Sequence, residues 1–463
     1  MGRLLPPIVF MDETVLEIAR MVRAAGGRAF LVGGCVRDGL MSVSGIKDFD
    51  IEVFGLMPDR LRSTLERRFR LDLVGLSFGV LKIHGHDIDV SLPRRESKQG
   101  AGHRGFLVDS DPMMSVKEAA SRRDFTVNAV YLDPLTGEYE DPWGGREDLE
   151  KGVLRHVSDK FSEDPLRVLR GMQFIARFGL EPVSSTVEMC RRMQIENLPP
   201  ERLMEEFRKF LLKGVWMSKG MDFLRQTGWV RHFPELKRLI GCRQDPEWHP
   251  EGDVWNHTCC SLDAFAAERH RWSDEHDNLV VGLAVLCHDM GKPFCSRYDQ
   301  KTGHIRSLGH DVQGVEPTMS FLRRITREDR ILKEVPPLVK CHMLPFSMWK
   351  SRARDSAIRR LALKVGSIDR LIRVCMADEA GRPPLPVSTE ALEWLSREAS
   401  RLQVRDAMPR PIIQGRDLIA LGWKPSVSFG VILKNCFEAQ LDGAFSDHES
   451  GVAYLQSIIR ETV

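Results

Sequence analysis

The sequence feature that most constrains the fold is a change of hydrophobic periodicity near residue 150. Before it, over roughly residues 28–135, short apolar runs alternate with turn residues, which predicts β-strands. After Gly152, apolar residues recur at helical spacing almost to the C-terminus, which predicts helices. The segments that predict strands are AFLVGG, DFDIEVFGL, GVLKI, DIDVSLP and TVNAVYLD. We therefore expect an α+β fold, with a mixed-sheet domain first and a mostly α-helical body after it.

Composition excludes several classes of protein. The 463 residues are 42% hydrophobic and 29% charged, which argues against a disordered chain, a coiled coil or a fibre. No stretch approaches the roughly 18–20 apolar residues of a membrane helix, so we expect no membrane association. The formal net charge of +2 neither requires nor excludes a nucleic-acid partner. Ten cysteines without a C-x-x-C pair, and no apolar signal segment, predict a cytoplasmic protein.

A pair of glycines follows the first predicted strand, in the segment VGGCVRD. Because Gly33 and Gly34 lack a Cβ, the backbone there can approach phosphate groups closely. Arg37 can offer a charge-assisted fork to phosphate oxygens. An ordinary tight turn entering a helix has the same pattern, so the glycines alone do not indicate a function.

Two aspartates alternate with apolar residues in the next predicted strand. Asp48 and Asp50 should share one face, because residues two apart in a strand point the same way. Carboxylates that close repel each other unless a cation lies between them, and Mg²⁺ is the cation that suits oxygen ligands and phosphate substrates. Asp89, in the segment HDIDV, is a candidate third carboxylate. The alternative is a set of solvated acids on exposed strands.

Together these motifs resemble the nucleotidyltransferase superfamily that includes DNA polymerase β. More narrowly, they resemble the class II CCA tRNA nucleotidyltransferases and the bacterial poly(A) polymerases. Further segments match that family in order: GLSFGV at 75–80, a polar loop at 96–120, RRDFTVNA at 122–129, DPWGG at 141–145, EDPLR at 163–167 and PER at 200–202. The resemblance covers almost the whole chain.

The resemblance implies a polymerase-β-like head and a role for each matching residue. Asp48 and Asp50 would hold Mg²⁺. Nucleotide contacts are implied for Gly33, Gly34 and Arg37 at the triphosphate, Arg123 and Asp124 at the ribose, and Asp164, Arg167 and Arg170 at the base. The implied activity is template-independent addition of CCA, from CTP and ATP, to the 3′ end of tRNA.

The implied base reading also has a physical basis. Asp164 and Arg167 are three residues apart, so a helix would place both on one face. A carboxylate can accept from the exocyclic amine that cytosine and adenine share, while a guanidinium donates to ring acceptors. The alternative is an ordinary helix start, with acids and a proline in the first turn and arginines on a solvated face.

A second constellation lies in the helical body. Its order, H…HD…H…H…D, resembles that of the HD-type metal phosphohydrolases, and imidazoles with carboxylates suit divalent metals. The implied ligands are His257, His288, Asp289 and Asp378, with His310 and His342 as auxiliary candidates. The metal and the phosphate substrate are not specified by the sequence. The alternative is that some of these residues are capping or core histidines.

These observations predict four regions and leave several activities open. The regions are a nucleotidyltransferase head (1–150), a helical neck with nucleotide recognition (151–240), an HD-type helical domain (241–390) and a helical tail (391–463). The alternatives to full CCA addition are a partial enzyme that adds only CC or only A, and a poly(A) polymerase. An HD phosphohydrolase whose head merely binds nucleotide is an alternative of another class.

Overall fold

The computed structural model describes residues 12–43, 45–72, 80–98, 106–195 and 198–462. The chain divides into two compact units, each described by itself below. Unit 1 comprises Met1–Glu206 and Lys219–His232, and unit 2 comprises Phe207–Ser218 and Phe233–Val463. The finer division into four regions, with boundaries after residues 150, 240 and 390, stays a prediction.

Unit 1 contains a central sheet with helices. Its strands are β1 (Arg28–Val32), β2 (Phe49–Phe54), β3 (Leu71–Asp72), β4 (Val80–Ile83), β5 (Ile88–Ser91), β6 (Arg94–Lys98), β7 (Phe106–Ser110), β8 (Tyr131–Leu132), β9 (Tyr139–Glu140), β10 (Val153–Leu154) and β11 (Glu181–Pro182). The helices up to the end of this unit are α1 (Glu13–Ala24), α2 (Gly34–Leu40), α3 (Pro58–Leu65), α4 (Val116–Ala120), α5 (Gly145–Glu150), α6 (Leu166–Phe178), α7 (Ser184–Arg192), α8 (Pro200–Lys213) and α9 (Met217–Gln226).

The main sheet has seven strands in the order β3-β4-β5-β2-β1-β8-β9. It is mixed, because β2 runs parallel to β5 and antiparallel to β1. The predicted alternation in β2 is confirmed: Phe49, Ile51 and Val53 are buried. They belong to a core that also includes Ile18 of α1, which therefore covers this face of the sheet. The expected α+β class is correct.

One predicted strand is only partly formed. In the segment TVNAVYLD, Thr126–Asn128 form a turn of 3-10 helix, and only Tyr131–Leu132 pair in the sheet. Side-chain hydrogen bonds explain the difference, since the Thr126 hydroxyl donates to Asp148 (2.6 Å) and the Asn128 amide donates to Asp124 (2.9 Å). Polar side chains that bond locally in this way compete with strand pairing.

Unit 2 is built almost entirely from helices. They are α10 (Pro234–Lys237), α11 (Val254–Glu268), α12 (Glu275–Cys287), α13 (Lys292–Cys295), α14 (His310–Gln313), α15 (Val315–Ile325), α16 (Asp329–Cys341), α17 (Leu344–Lys350), α18 (Asp355–Val365), α19 (Ile368–Ala380), α20 (Glu390–Arg401), α21 (Gly415–Ala420), α22 (Val427–Asp442) and α23 (His448–Thr462). Strands β12 (Arg297–Asp299) and β13 (His304–Arg306) form one antiparallel hairpin.

The centre of unit 2 is α12, which is buried on every side from Asn278 to Cys287. A helix that is apolar all round needs neighbours on all faces, and α11, α16 and α19 pack against it. The last three helices enclose a small core of their own around Leu418, Cys436 and Leu455. Among the described helices, none is long and apolar enough to span a membrane.

Candidate functional site

The predicted carboxylates meet on neighbouring strands of unit 1. In the register, Asp50 of β2 lies opposite Val32 of β1 on one side and Asp89 of β5 on the other. Residues opposite each other on adjacent strands point to the same face of the sheet. Asp48 lies just before β2, two residues from Asp50. The strand pairing thus brings together three acids, of which the first and last, Asp48 and Asp89, are 41 positions apart in the sequence.

The electrostatic environment of Asp50 fits a site for a cation. Although its side chain reaches solvent, surrounding protein atoms exclude water from part of the carboxylate, and this desolvation raises the pKa of Asp50. The negative charges of Asp89 and Asp48 raise that pKa further, while Arg123 opposes the change. Lys82 of β4 lies 2.9 Å from Asp89 Oδ1 and compensates part of the negative charge. A divalent cation would relieve the remaining repulsion.

The first of the paired glycines lies directly against these groups. Gly33 has a φ of +79°, a conformation that favours glycine. A Cβ at this position would lie 3.3 Å from Arg123 Nη1 and 3.4 Å from Asp50 Oδ2. The absence of a side chain at Gly33 therefore keeps open the space between the carboxylate and the guanidinium. Gly34 follows as the first residue of α2.

Arg37 is less accessible than a triphosphate contact requires. It is only 4% exposed, and its Nη1 donates to Asn128 Oδ1 (2.6 Å). Its Nε donates to Asp38 (2.8 Å), and its guanidinium carbon lies 4.7 Å from the ring centre of Phe178. In this structure Arg37 fixes α2 to its surroundings, and a contact with phosphate stays a prediction.

Arg123 is held beside the carboxylates by a small network. Its Nη2 lies 3.5 Å from Glu52 Oε2, and its Nε donates weakly to the Tyr131 hydroxyl at 3.4 Å. That hydroxyl in turn donates to Glu52 (2.6 Å). Because Glu52 follows Asp50 by two residues, both side chains belong to the same face of β2. Arg123 thus lies between acids and is oriented towards the sheet.

The next residue, Asp124, forms a buried ion pair. Its Oδ2 accepts from Arg170 Nε at 2.7 Å, and its Oδ1 accepts from the backbone of Phe125 and from Asn128. Burial alone would raise the pKa of Asp124, but the charge of Arg170 and these hydrogen bonds outweigh it and lower the pKa to about 2. Asp124 is therefore ionised and connects α6 to the RRDF segment.

The predicted base-reading residues all have protein partners. Asp164 Oδ2 accepts from Arg202 Nη2 at 2.9 Å. Arg167 donates to two backbone carbonyls, Lys160 O (2.8 Å) and Arg122 O (2.5 Å). Arg170 is paired with Asp124, as described above. Asp164 lies just before α6 and Arg167 and Arg170 lie on it, so the partners of all three are groups of the protein.

The histidines and aspartates predicted in the helical body converge on one buried place in unit 2. His257 lies on α11, His288 and Asp289 directly follow α12, His310 begins α14, His342 directly follows α16, and Asp378 lies on α19. His257 Nε2 is 3.2 Å from His288 Nε2 and 3.0 Å from Asp378 Oδ1. His310 Nε2 is 3.1 Å from His342 Nε2 and 3.5 Å from Asp289 Oδ1. We call these six residues the HD cluster.

The other ring nitrogen of each histidine is hydrogen-bonded away from the centre. Nδ1 of His288, His310 and His342 lies 2.7 to 2.8 Å from the backbone carbonyl three residues earlier. Nδ1 of His257 lies 2.8 Å from Glu251 Oε1. An Nδ1 that donates to oxygen leaves the lone pair on Nε2 of a neutral ring, which is the arrangement that metal-binding histidines adopt. The Nε2 atoms therefore converge as ligands.

Asp289 occupies the middle of the HD cluster. It is 1% exposed, and within the described residues neither of its carboxylate oxygens accepts a hydrogen bond. Lys292 Nζ, 2.7 Å from Oδ2, supplies an opposite charge. A buried carboxylate needs opposite charge and hydrogen bonds, and Lys292 supplies one charge while neither oxygen accepts a hydrogen bond. The donor set and this unsatisfied carboxylate together fit a divalent metal.

Without a metal, one histidine of the cluster, His257, favours the cationic form with both ring nitrogens protonated. Burial would lower the pKa of His257, but hydrogen bonds to Asp378 and Glu251 outweigh it and raise the pKa to about 9. Burial, with the nearby His288, instead lowers the pKa of His342 to about 4. A metal that binds Nε2 of His257 must displace the proton shared with Asp378.

The segment HDMGK at 288–292 contains a glycine because the backbone of residue 291 lies close to the backbone of His310. A Cβ on Gly291 would lie 1.9 Å from the carbonyl oxygen of His310, so only glycine fits. This contact lets the turn after α12 lie against the start of α14. The glycine thus allows Asp289 and His310 to belong to one cluster.

Comparison with known proteins connects this geometry to a family. Residues 29–155 match the family described as "Poly A polymerase head domain", and residues 184–240 match "Probable RNA and SrmB- binding site of polymerase A". A "Multifunctional CCA protein" of Acinetobacter baumannii is 32% identical over 371 residues, which are 77% of this chain and 84% of that protein. The chain belongs to the CCA tRNA nucleotidyltransferase family. The enzyme is therefore a nucleotidyltransferase.

Other comparisons agree with this assignment. A "Multifunctional CCA protein" of Xanthomonas campestris pv. campestris is 33% identical over 382 residues, 77% of this chain and 85% of that protein. The crystal structure of the Bacillus stearothermophilus CCA-adding enzyme with CTP has a TM-score of 0.63 at 21% identity, covering 98% of this chain and 99% of that one. The Thermotoga maritima CCA-adding enzyme with tRNA has a TM-score of 0.59 at 18% identity, covering 99% and 100%. These two structures support the fold.

Sequence reasoning missed several residues that support the two sites. In the head, Glu52 and Tyr131 hold Arg123. Period-two spacing could have identified Glu52, because it follows Asp50 by two residues. In the helical body, Glu251 orients His257, and Lys292 neutralises Asp289. Lys292 stands in the HDMGK segment, whereas no sequence signal indicates Glu251.

Two family motifs cannot be placed in full. The GLSFGV segment lies outside the described residues except for Val80. Within the polar loop at 96–120, residues 99–105 are outside them as well. The flanking residues form a hairpin of β6 and β7, with Arg94 opposite Ser110.

Proposed function

We propose that this enzyme adds CCA to the 3′ end of tRNA from CTP and ATP, without a nucleic-acid template. The single observation that carries the proposal is the alignment of Asp50 and Asp89 on paired strands, with Asp48 beside them and Gly33 open in front of Arg123. Proteins similar over most of the chain are named for CCA addition, and CTP, ATP and tRNA accompany similar folds.

We propose Mg²⁺ as the metal of this site, since CCA-adding enzymes are metal-dependent. Asp48 and Asp50 would hold it, and Asp89 is a candidate third ligand. Oxygen ligands and a triphosphate substrate suit this hard cation. When bound, Mg²⁺ supplies Lewis-acid stabilisation of the transferring phosphoryl group. The chain itself positions the tRNA 3′-hydroxyl against the α-phosphate, and pyrophosphate leaves.

The remaining head residues would bind and select the nucleotide. Gly33 and Gly34 offer backbone close to the triphosphate, with Arg37 as a further candidate, and Arg123 with Asp124 would position the ribose. Asp164 and Arg167 would read the base, with Arg170 next to them. Asp164 is paired with Arg202 of the neck helix α8, and Arg167 donates to two backbone carbonyls. A base that binds here would compete with Arg202 for the Asp164 carboxylate.

The experiment uses three versions of one tRNA transcript that end at the discriminator base, at C or at CC. Each is incubated with the enzyme, Mg²⁺ and CTP, ATP or both, and products are resolved to single nucleotides. We expect stepwise addition that stops after CCA. Arrest after CC, or extension of the CC transcript alone, would identify a partial enzyme. A long A ladder would identify a poly(A) polymerase, and no extension would contradict the proposal.

We propose a second activity, the hydrolysis of phosphate esters at the HD cluster with a divalent metal. The observation that favours it is the buried Asp289, whose oxygens accept no hydrogen bond among the described residues while four histidine Nε2 atoms lie around it. His257, His288, Asp289 and Asp378 would hold the metal, and His310 and His342 would complete the cluster. Metal titration of the metal-free enzyme, followed by phosphate-release assays with each metal, tests this. Absence of metal binding would contradict it.

We propose that the enzyme works in the cytoplasm. All ten cysteines have free thiols in the structure, which fits a reducing compartment. Fractionation of cells that express the enzyme tests this assignment.

A further inference from the structure

A cavity of about 580 Å³ lies in unit 2 between α17, the loop after it and α20. Its lining consists of Trp349, Lys350, Arg352, Ala353, Trp394 and Glu398. None of these residues belongs to the HD cluster. The volume is within the range of small-ligand sites, which is roughly 300–1,000 Å³. Two indole rings and two cations in one cavity are an unusual lining for a structural gap.

The indoles are accessible. Trp349, at the end of α17, is 41% exposed, and Trp394 of α20 is partly exposed. Neither forms a ring-stacking or cation–π contact in the described part of the chain. Both indoles line the cavity, and no aromatic ring or cation of the described residues occupies their faces. Stacking on aromatic side chains is how proteins hold unpaired nucleobases of any sequence.

The loop at the edge of the cavity is basic. Lys350, Arg352 and Arg354 are exposed, and over the residues that the structure describes their side chains form no hydrogen bond or ion pair. The acids nearby, Asp355 and Glu398, are both engaged by Arg401, at 2.5 and 2.7 Å. The cations thus remain free to meet negative charge, whereas the carboxylates are neutralised.

We propose that this cavity binds an unstacked base of the RNA substrate, with Lys350 and Arg352 on the phosphates that flank the base. In RNA, the ribose that carries the base is linked to a phosphate on each side. An aromatic cavity bordered by unpaired cations therefore matches both the base and the phosphates. An acidic protein segment would use the cations but leave the indole faces without a planar partner. The proposal rests on the proposed function, because it takes tRNA as the substrate.

The test compares Trp349→Ala, Trp349→Phe and the double variant Lys350→Gln/Arg352→Gln. Trp248→Ala serves as the control, because Trp248 has almost the same exposure (42%) as Trp349 (41%). For each, the Kd of full-length tRNA is measured over a range of salt, along with KM and kcat for nucleotide addition. Melting curves show that the variants are folded.

We expect Trp349→Ala to raise the Kd and KM for tRNA about tenfold with kcat unchanged, since stacking of one base contributes about 1–3 kcal/mol. Trp349→Phe should retain most of the affinity. The double charge variant should lower the slope of log Kd against log salt by about one for each phosphate that the enzyme no longer neutralises. Trp248→Ala should match the wild type.

Unchanged tRNA affinity and salt slope in all cavity variants would overturn the proposal and leave the cavity for a different partner. An equal loss in Trp248→Ala would also overturn it. If the wild-type enzyme binds tRNA but adds no CCA, the proposed function fails, and the Kd measurements still decide about the cavity.

Discussion

The two candidate metal-binding regions of this enzyme are built in opposite ways. In the head, three aspartates from one sheet face solvent, and Arg123 and Lys82 compensate part of their charge. In the HD cluster, five of the six residues are buried, Asp378 is partly exposed, and the Nε2 atoms of the four histidines lie close together. We therefore expect the head to bind a metal together with a triphosphate and to release it with pyrophosphate, and we expect the HD cluster to retain a metal.

The difference shows how burial changes the free energy of carboxylates that have no metal bound. The carboxylates of the head are partly exposed, so water stabilises them in part when no metal is bound, although desolvation and the neighbouring acids raise the pKa of Asp50. Asp289 is buried with Lys292 as a single positive charge beside it, so a metal would add to the charge that stabilises this carboxylate. We therefore expect metal to contribute to the stability of unit 2 much more than to that of unit 1.

The largest expected effect concerns the head. Asp50→Asn removes a charge on which metal binding depends and keeps the shape of the side chain. We expect nucleotide addition to fall on the order of 10³-fold, because metal stabilisation of the transferring phosphoryl group contributes several kcal/mol. Single-turnover addition to a tRNA that ends in CC measures this. Phosphate release at the HD cluster should remain at the wild-type rate; a parallel loss of both activities in a folded variant would show that the regions are not independent.

The second prediction concerns the cluster. Asp289→Asn should weaken binding of divalent metal by at least about 100-fold, which exceeds the roughly 10–100-fold loss typical of residues that only orient ligands. Glu251→Gln changes only the partner that orients His257, so it should show the smaller loss of metal affinity and serves as the reference. Metal titration calorimetry measures both. CCA addition should be unchanged. If Asp289→Asn bound metal as tightly as the wild type, Asp289 would not be a metal ligand, and the contrast between the head and the HD cluster would fail.

The third prediction concerns base selection at the start of α6. Asp164→Ala should reduce the preference for CTP and ATP over UTP and GTP by about 10–100-fold, as expected when a hydrogen bond to a base is removed. Competition between the four nucleotides on one transcript measures the preference. Arg202→Ala is the matched control, because it removes the same ion pair but keeps the carboxylate. Equal relaxation in both variants would assign the effect to the ion pair, and unchanged selection would refute the base-reading role.

The smallest expected effect concerns pH and the ion pair between Asp124 and Arg170. The pKa of Asp124, about 2, lies below the ordinary 3.8, so the pair stabilises the folded state above about pH 4 and loses this contribution as pH falls towards 2. Asp124→Asn should lower stability at pH 7 by about 2 kcal/mol. Melting curves from pH 7 to 3 measure it. The gap to the wild type should narrow with acid, and a constant gap would contradict the ionic origin.

Much of the site was predictable because its motifs are local. Asp48 and Asp50 are two residues apart, and Gly33 follows the neighbouring strand, so period-two spacing and turn chemistry indicate their arrangement. Asp89 was a candidate from the strand pattern of HDIDV, but its place opposite Asp50 depends on the parallel pairing of β2 and β5. The partial failure in TVNAVYLD has a similar cause, since its hydrogen-bond partners Asp148 and Asp124 are not apparent from local propensity.

The sequence by itself determined the α+β class, through its change of hydrophobic periodicity, and the acid pair and paired glycines, through spacing over a few residues. It also indicated the residue types of the HD cluster, through their order along the chain. Only the tertiary structure decided which acids face each other, that Arg37 is buried, that Glu251 orients His257, and that Trp349 and Trp394 share one cavity. Glu251 and His257 are 6 positions apart, for example, whereas Arg37 and Asn128 are 91 positions apart. Packing sets such distances, and hydrophobic periodicity carries no information about which distant side chains will meet.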